Sequence, residues 1–139
     1  MTDKPLILVA DDETRIRRLV VESLENAGFD VCQAQDGRQA VDVFRLSPVE
    51  PDLVILDLMM PEMDGVETAE RLRALPDYGR VPIVALTANA TNTARKMFLE
   101  NGFDDFLAKP INLLQLDLLL KKWVGSRPVS YTHLRAHET

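Results

Sequence analysis

Short apolar runs alternate with longer amphipathic stretches along this chain, and that alternation limits what it can fold into. The runs are two to five residues long and lie at 6–10, 31–32, 53–56, 83–86 and 106–108. Runs of this kind, rich in β-branched side chains, are typical of strands buried on both faces of a parallel sheet. The second run is the weakest, since Gln33 and Gln35 alternate with apolar neighbours as on an edge strand.

Between the runs, apolar residues recur at helical spacing. The predicted helices centre on 16–24, 40–44, 64–74, 94–98 and 112–124. Gly28 and Gly102 are expected to end the first and fourth helices, and Asp64 with Glu67 forms a capping-box pattern at the third. Five strands that alternate with five helices predict an α/β domain with a doubly wound parallel sheet and right-handed crossovers.

The composition argues against several classes of protein. The 139 residues carry a net charge of −6, which disfavours nucleic-acid binding, because phosphate backbones require a basic surface. The single cysteine, Cys32, cannot form an internal disulfide. No apolar run approaches the roughly 20 residues of a membrane span, and the N-terminus does not resemble a signal peptide. We therefore expect a soluble, cytoplasmic domain that makes no membrane contact.

Residues 126–139 differ from the rest of the chain, because they show no helical or strand periodicity. Two interpretations are open: a disordered native linker, or sequence foreign to the domain, which we favour. We accordingly predict one domain over 4–125, followed by a tail.

Polar residues follow four of the five predicted strands. In a parallel sheet, ligands bind beyond the carboxyl ends of the strands, where the strand order reverses. The order common for five-stranded sheets, 2-1-3-4-5, would bring these strand ends together, so we expect carboxylates, a hydroxyl and an ammonium to converge on one shallow cleft. The residues concerned are Asp11, Asp12 and Glu13 after strand 1, Asp57 after strand 3, Thr87 after strand 4 and Lys109 after strand 5.

The residue types at this cleft indicate metal-assisted phosphoryl transfer. Carboxylates packed together raise one another's pKa, and a divalent cation relieves their repulsion. Mg²⁺ suits such a site, because it accepts a few carboxylates and keeps several waters. A carboxylate can itself act as the nucleophile and form an aspartyl phosphate. The glycine-rich phosphate loop of P-loop nucleotide-binding proteins is absent from the sequence.

Each of these residues has a simpler explanation when it is taken alone. Asp11 or Asp12 could cap the helix that follows. Thr87 could simply end a strand, and Lys109 could be a solvated surface lysine. Capping explains Asp57 poorly, because no helical pattern begins directly after it. The combination at four strand ends is what favours a functional site.

These residues and their spacing resemble a response-regulator receiver domain, the phosphoacceptor unit of two-component signalling. The resemblance covers Lys4 to about Val124 and rests on ILVADDE at 7–13, PDLVILDLMMPEMDG at 51–65, PIVALTA at 82–88 and DDFLAKP at 104–110. It implies a flavodoxin-like fold with the strand order 2-1-3-4-5. It also implies Mg²⁺-dependent transfer of a phosphoryl group from a donor histidine to an aspartate.

The resemblance implies a role for each residue at the cleft. Asp57 would accept the phosphoryl group, and Lys109 would pair first with Asp57 and then with a phosphoryl oxygen. Thr87 would donate its hydroxyl to the phosphoryl group. The Mg²⁺ ligands would be Asp12, Asp57 and the backbone carbonyl of Met59, with Asp11 acting through a water and with Mn²⁺ as a substitute metal.

Other positions would transmit the signal or border the site. Phe106 resembles the family's rotating aromatic, which couples to Thr87 and biases the face formed by the fourth helix, the fifth strand and the fifth helix; a plain core aromatic is the alternative. The resemblance also implies a cis Lys109–Pro110 bond and a flexible turn at Gly65. The bordering residues would be Glu13, Met59, Ala88, Asn89 and Pro110.

The fifth predicted helix is apolar nearly all round at 113–120. One stripe of it must belong to the core. The remainder is either a partner or weak-dimer surface, or it is buried as well.

The implied partners are a sensor histidine kinase or a histidine phosphotransfer domain. The domain would not be an enzyme with a separate substrate, because it would catalyse only its own phosphorylation and dephosphorylation. The segments 85–90 and 106–112 look more like receivers fused to hybrid sensor kinases, in which case the parent protein would be a histidine kinase. With no output module after Gly125, a stand-alone regulator and a receiver from a larger protein both stay open.

Three other functions are weighed against this one. An aspartyl-phosphate hydrolase of the haloacid dehalogenase type also uses Asp, Mg²⁺ and Lys, but it places a second Asp where this chain has Met59. A flavodoxin-like cofactor binder is disfavoured, because the acidic cluster would repel a flavin phosphate. A receiver-like interaction module without phosphorylation would have no need of the acid pair, Asp57 and Lys109.

Overall fold

The computed structural model of the chain describes residues 4–60, 63–76, 78, 80–88, 96 and 99–125. Its sheet has five parallel strands in the order β2-β1-β3-β4-β5, which confirms the predicted doubly wound fold. β2 lies at one edge and is only partly buried, as its alternating pattern predicts. The strands are β1 (Leu6–Ala10), β2 (Asp30–Ala34), β3 (Leu53–Asp57), β4 (Ile83–Thr87) and β5 (Asp105–Ala108).

Four helices have bounds within the described residues: α1 (Thr14–Asn26), α2 (Gly37–Leu46), α3 (Gly65–Arg73) and a C-terminal helix (Leu113–Trp123). The helix predicted around 94–98 falls mostly outside the described residues, although Lys96, Leu99 and Glu100 are helical. The tail at 126–139 lies outside them entirely. Its two interpretations therefore stay predictions.

Short polar side chains set where the helices after β2 begin. The carboxylate of Asp64 accepts a hydrogen bond from the N–H of Glu67 at 2.9 Å, so the predicted cap of α3 is confirmed. Asn112 likewise caps the C-terminal helix through the N–H groups of Leu114 and Gln115. Asp36 caps α2 in the same way, since its side chain accepts a hydrogen bond from the N–H of Gln39. A side-chain acceptor at an N-cap satisfies backbone donors that the helix itself leaves without partners.

The sheet separates two apolar layers. α2 and α3 cover one face, where Phe44 and Leu72 are fully buried, and α1 and the C-terminal helix cover the other, around Leu24. β3 and β4 are buried along their whole length. Because both faces of these strands are covered, their polar groups can stand only at the strand ends. In the described part of the chain, no helix combines the length and the apolar character that a bilayer span requires.

The C-terminal helix is apolar nearly all round in sequence, and its burial distinguishes a fully buried helix from one with an exposed apolar face. Its core stripe is formed by Leu116, Leu119 and Leu120, which are buried. The interpretation that the whole helix is buried is wrong, since Leu114 and Leu118 are 67% and 57% exposed. One face therefore packs on the sheet and the other carries leucine to the surface.

The parallel register brings the carboxyl ends of the strands to one edge. Ala10 pairs with Leu56, and Thr87 pairs with Ala108. Asp57, the last residue of β3, pairs with Leu86. The residues at and just beyond these pairs are therefore neighbours across four strands.

Candidate functional site

Two carboxylates follow β1 and differ sharply in burial. Asp11 is fully buried, whereas Asp12 is exposed. The Oδ1 atom of Asp11 accepts a hydrogen bond from the N–H of Glu13 at 2.8 Å, and its carbonyl accepts one from Nη1 of Arg17 at 2.7 Å. The N-cap of α1 is Glu13, so the interpretation of Asp11 or Asp12 as the capping residue is wrong.

Asp57 ends β3 with its side chain only 2% exposed. Its Oδ1 atom accepts a hydrogen bond from the N–H of Met59 at 3.2 Å. The same oxygen lies 3.1 Å from Nζ of Lys109. Among the described residues, the buried carboxylate at the carboxyl end of β3 thus has one ammonium as its partner.

Gly65 allows the start of α3 to pack directly on this strand end. A Cβ atom at Gly65 would lie 2.7 Å from the carbonyl oxygen of Asp57 and 2.8 Å from Cα of Leu58. The flexible turn expected at Gly65 is therefore wrong, because Gly65 is the first residue of α3 and its φ angle is not positive. The position requires the absence of a side chain, not backbone freedom.

The three aspartates form a compact oxygen cluster. Asp11, Asp12 and Asp57 each offer a carboxylate oxygen within 4.8 Å of the other two. Among the residues that the structure describes, two of the buried oxygens, Oδ2 of Asp11 and Oδ2 of Asp57, have no hydrogen-bond partner. Leaving a buried acceptor without a partner costs free energy, and a small hard cation supplies the missing interaction. The donor set therefore fits Mg²⁺ by its chemistry.

The pKa shifts show that the cluster disfavours negative charge on Asp57 and on Asp12. Burial raises the pKa of Asp57, the charge of Asp11 raises it further, and Lys109 opposes both effects only in part. The pKa of Asp12 is also raised, first by desolvation and then by its contact with Asp57. Both shifts have the direction that repulsion between close carboxylates produces.

In the part of the chain that the structure describes, Lys109 is the cation that faces this cluster. Its Nζ atom lies 3.1 Å from Oδ1 of Asp57, 3.2 Å from Oε1 of Glu13 and 3.5 Å from Oδ2 of Asp11. Burial alone would lower the pKa of Lys109, but the hydrogen bond with Asp57 and the negative charges around it outweigh burial and raise the pKa. The interpretation of Lys109 as a solvated surface lysine is wrong, because its side chain is only 15% exposed.

Thr87 and Phe106 lie on the two strands beside this cluster. Thr87 ends β4 and is buried, and its carbonyl accepts a hydrogen bond from the N–H of Lys109 at 2.8 Å. Phe106, on β5, is half-buried and packs against the core layer of α2 and α3. Both residues are thus connected to the segment that carries Lys109.

The bordering residues are exposed where the structure describes them. Met59 is 80% exposed. Ala88 and Pro110 are also exposed, and the Lys109–Pro110 peptide bond is cis, as the resemblance implies. Asn89 lies outside the described residues.

Sequence reasoning missed three contacts at this site. Arg17, one turn into α1, binds the carbonyl of Asp11, and the N–H of Asp11 donates to the carbonyl of Ala34 on β2. Glu13 was expected only to border the site, but it pairs with Lys109. One feature of the sequence could have indicated the contact between Glu13 and Lys109: a glutamate stands at the N-cap of α1, although Glu is not among the preferred capping residues.

Comparison with known proteins gives a consistent result. A family model described as the response regulator receiver domain matches residues 7–121 of this chain. The response regulator MprA of Mycolicibacterium vanbaalenii is 42% identical over 110 residues, which are 79% of this chain and 46% of MprA. The chain spans about half the length of most of the curated relatives that it matches.

Two solved structures are similar along nearly their whole length. The receiver domain of the Pseudomonas aeruginosa sensor histidine kinase PA1611, with a magnesium ion coordinated in its active-site cleft, is 33% identical with a TM-score of 0.78. That match covers 88% of this chain and 99% of the other. The receiver domain of the Saccharomyces cerevisiae response regulator Ssk1, in a co-crystal with the histidine phosphotransfer protein Ypd1, is 25% identical with a TM-score of 0.77. That match covers 88% of this chain and 90% of the other.

Proposed function

The chain belongs to the response regulator receiver family, and on that premise we propose that Asp57 is the residue that accepts the phosphoryl group. A receiver domain is the receiving module of a two-component signalling system. The proposal assigns the chemistry of that module to named side chains of this chain. We take residues 4–125 as the unit that carries it.

One observation supports this assignment above the others: the Asp57 carboxylate is buried at a strand end, beside two further aspartates and a lysine. A carboxylate held for structure alone would be better served by a full set of hydrogen bonds. Within the described part of the chain, one oxygen of Asp57 has no hydrogen-bond partner. The arrangement suits a nucleophile whose free oxygen must meet a reactant.

The same oxygens would hold the metal. Asp12 and Asp57 would bind Mg²⁺ directly together with the backbone carbonyl of Met59, and Asp11 would act through a water. When bound, the ion supplies positive charge that neutralises the oxygens of the transferring phosphoryl group. The magnesium ion in the PA1611 receiver structure supports this proposal.

In the transfer step, a carboxylate oxygen of Asp57 forms a bond to phosphorus as the bond between phosphorus and the donor nitrogen breaks. The electron pair of that bond stays on the imidazole nitrogen of the donor histidine. Lys109 moves from the carboxylate to a phosphoryl oxygen, and the Thr87 hydroxyl donates a hydrogen bond to another. The residues of this chain thus orient the reactant and balance its charge, which is most of what phosphoryl transfer requires.

The donor would be a histidine on a sensor kinase or on a histidine phosphotransfer protein. The co-crystal of the Ssk1 receiver with Ypd1 supports a donor of the second kind. After transfer, movement of Thr87 toward the phosphoryl group would free space for Phe106. Rearrangement there would carry the signal to β5 and the exposed side of the C-terminal helix.

Intact-mass measurement after incubation with acetyl phosphate tests the assignment. We expect a gain of one phosphoryl group in the wild type with Mg²⁺, no gain without Mg²⁺, and no gain in Asp57→Asn. Asp36→Asn is a matched control, since it removes a carboxylate that follows β2, two strands away from β3, while Asn still caps α2. An adduct that persists in Asp57→Asn would refute the assignment, as would a wild type that accepts nothing from acetyl phosphate or from a phosphorylated histidine phosphotransfer protein.

A further inference from the structure

Lys109 has as many close carboxylate neighbours as it has hydrogen-bond donors. An ammonium offers three N–H donors. Asp57, Glu13 and Asp11 place oxygens 3.1, 3.2 and 3.5 Å from its nitrogen. The contact with Oε1 of Glu13 is a hydrogen bond donated by Lys109, so a phosphoryl oxygen that arrives on that side competes with Glu13 for this donor.

Of the three, only Glu13 lies on the solvent side. Its side chain is 58% exposed, against 2% for Asp57 and 0% for Asp11. A phosphoryl donor must approach from solvent, so it meets the Glu13 side of Lys109 first. The buried pair is fixed by the sheet, whereas an exposed glutamate can swing away at little cost.

The start of α1 gives independent support for this role. Glu13 occupies the N-cap position of α1, with extended backbone (φ −86°, ψ 108°), yet its side chain makes no capping hydrogen bond. By contrast, the residues at the N-caps of α2, α3 and the C-terminal helix all cap with their side chains. The helix thus forgoes a cap, and the side chain that would have supplied it reaches Lys109 instead.

We propose that Glu13 is a positioning residue that occupies the outward donor of Lys109 until the phosphoryl group displaces it. The inference rests on the proposed function, because it concerns the step in which Lys109 leaves the carboxylates for the phosphoryl group. Glu13 then slows phosphorylation, since its contact with Lys109 must break before the transition state forms. For an exposed ion pair, we expect its loss to raise the rate of phosphorylation by roughly two- to fivefold.

Two substitutions distinguish the effect of the Glu13–Lys109 contact from the effect of the negative charge at position 13. Glu13→Gln removes the negative charge and the ion pair. Glu13→Asp keeps the negative charge, but the side chain is one methylene shorter. Its carboxylate is therefore placed to cap α1 instead of reaching Lys109. Glu22→Gln, an exposed position further along α1, is the matched control for the change in net charge.

The first measurement is the rate of phosphorylation by acetyl phosphate at saturating Mg²⁺, followed by intact mass. Both Glu13 variants should react two- to fivefold faster than the wild type, and Glu22→Gln should react at the wild-type rate. If Glu13→Gln reacts faster while Glu13→Asp reacts at the wild-type rate, the proposal is overturned, because the negative charge at the mouth of the site would then explain the effect. Wild-type or slower rates in both variants would overturn it as well.

The second measurement needs neither metal nor phosphodonor. Carbon-13 relaxation at the Lys109 Cε atom reports how firmly the side chain is held. Both Glu13 variants should loosen it relative to the wild type and to Glu22→Gln, whereas unchanged mobility would overturn the proposal. A wild type that accepts no phosphoryl group would instead overturn the proposed function, and this inference with it.

Discussion

At the scale of single residues, the site holds opposite charges close together, and burial raises the free-energy cost of the charges that are not neutralised. Three aspartates share a small volume, and one lysine faces them. Burial and repulsion still raise the pKa of Asp57 in spite of Lys109. The lysine therefore offsets only part of the repulsion, and the remainder is available to favour binding of a cation.

This balance predicts how stability depends on pH without Mg²⁺. The pKa of Asp57 is raised from its ordinary value of 3.8, so the folded protein binds this proton more tightly than the unfolded chain. The stability contributed by this group is fully present below that value and is lost as the pH rises through the raised pKa. Relative to Asp57→Asn, the wild type should lose stability as the pH rises from below 3.8 through the raised pKa of Asp57.

Urea unfolding of both proteins in EDTA at a series of pH values measures this difference directly. A gap between wild type and Asp57→Asn that stays constant with pH, or that moves in favour of the wild type as the pH rises, would contradict the prediction.

Cys32 gives a second prediction at the residue scale. The thiol lies on edge strand β2 and is half-buried, and burial raises its pKa from 9.0 to about 11. Because the thiolate is the reactive species, alkylation by iodoacetamide near pH 8 should be at least tenfold slower than for an unfolded control in urea. Labelling should increase steeply only as the pH approaches the raised value. A native rate equal to that of the unfolded control would contradict this.

At the scale of elements, the C-terminal helix shows how one apolar sequence serves two surfaces. Leu116, Leu119 and Leu120 pack on the sheet, and Leu114 and Leu118 face outward. Leucine exposed on a helix of a small domain is a candidate for contact with a partner. The sequence alone left both faces apolar, so only packing against the strands distinguishes them.

Paired substitutions in this helix test that division. Leu116→Ala should lower the free energy of unfolding by about 2–5 kcal/mol, because it leaves a cavity in the core. Leu118→Ala should change it by no more than about 0.5 kcal/mol, because the side chain is 57% exposed. Chemical denaturation of the two variants measures both values. Equal losses in the two variants would mean that the outer face is covered in the folded protein.

At the scale of the whole molecule, the site joins the ends of four strands, so a ligand there should stabilise the entire fold. A ligand that binds only the folded state raises the free energy of unfolding by about 2.7 kcal/mol at a hundredfold excess over its Kd. We expect Mg²⁺ to raise the melting temperature of the wild type and to have much less effect on Asp12→Asn or Asp57→Asn. Scanning calorimetry with Mg²⁺ and with EDTA measures this, and an equal increase in all three proteins would place the metal elsewhere.

Much of the fold and of the site could be predicted from the local pattern of residues in the sequence. Apolar runs marked the strands, and Asp64 with Glu67 marked the start of α3. Other features could not be predicted in this way. The contact between Glu13 and Lys109 joins residues 96 positions apart, and no local pattern marks Lys109 as the partner of Glu13.

The sequence by itself determined the alternation of strands and helices and the residue type at each strand end, because both follow from side-chain periodicity and local hydrogen bonding. It therefore also determined which chemistry the edge of the sheet could support. Only the tertiary structure decided that Asp11 is buried while Asp12 is exposed, that Glu13 reaches Lys109 instead of capping its helix, and which leucines face solvent. These outcomes depend on which strands lie side by side and which helix covers them, and that packing is a property of the whole chain, not of any one segment.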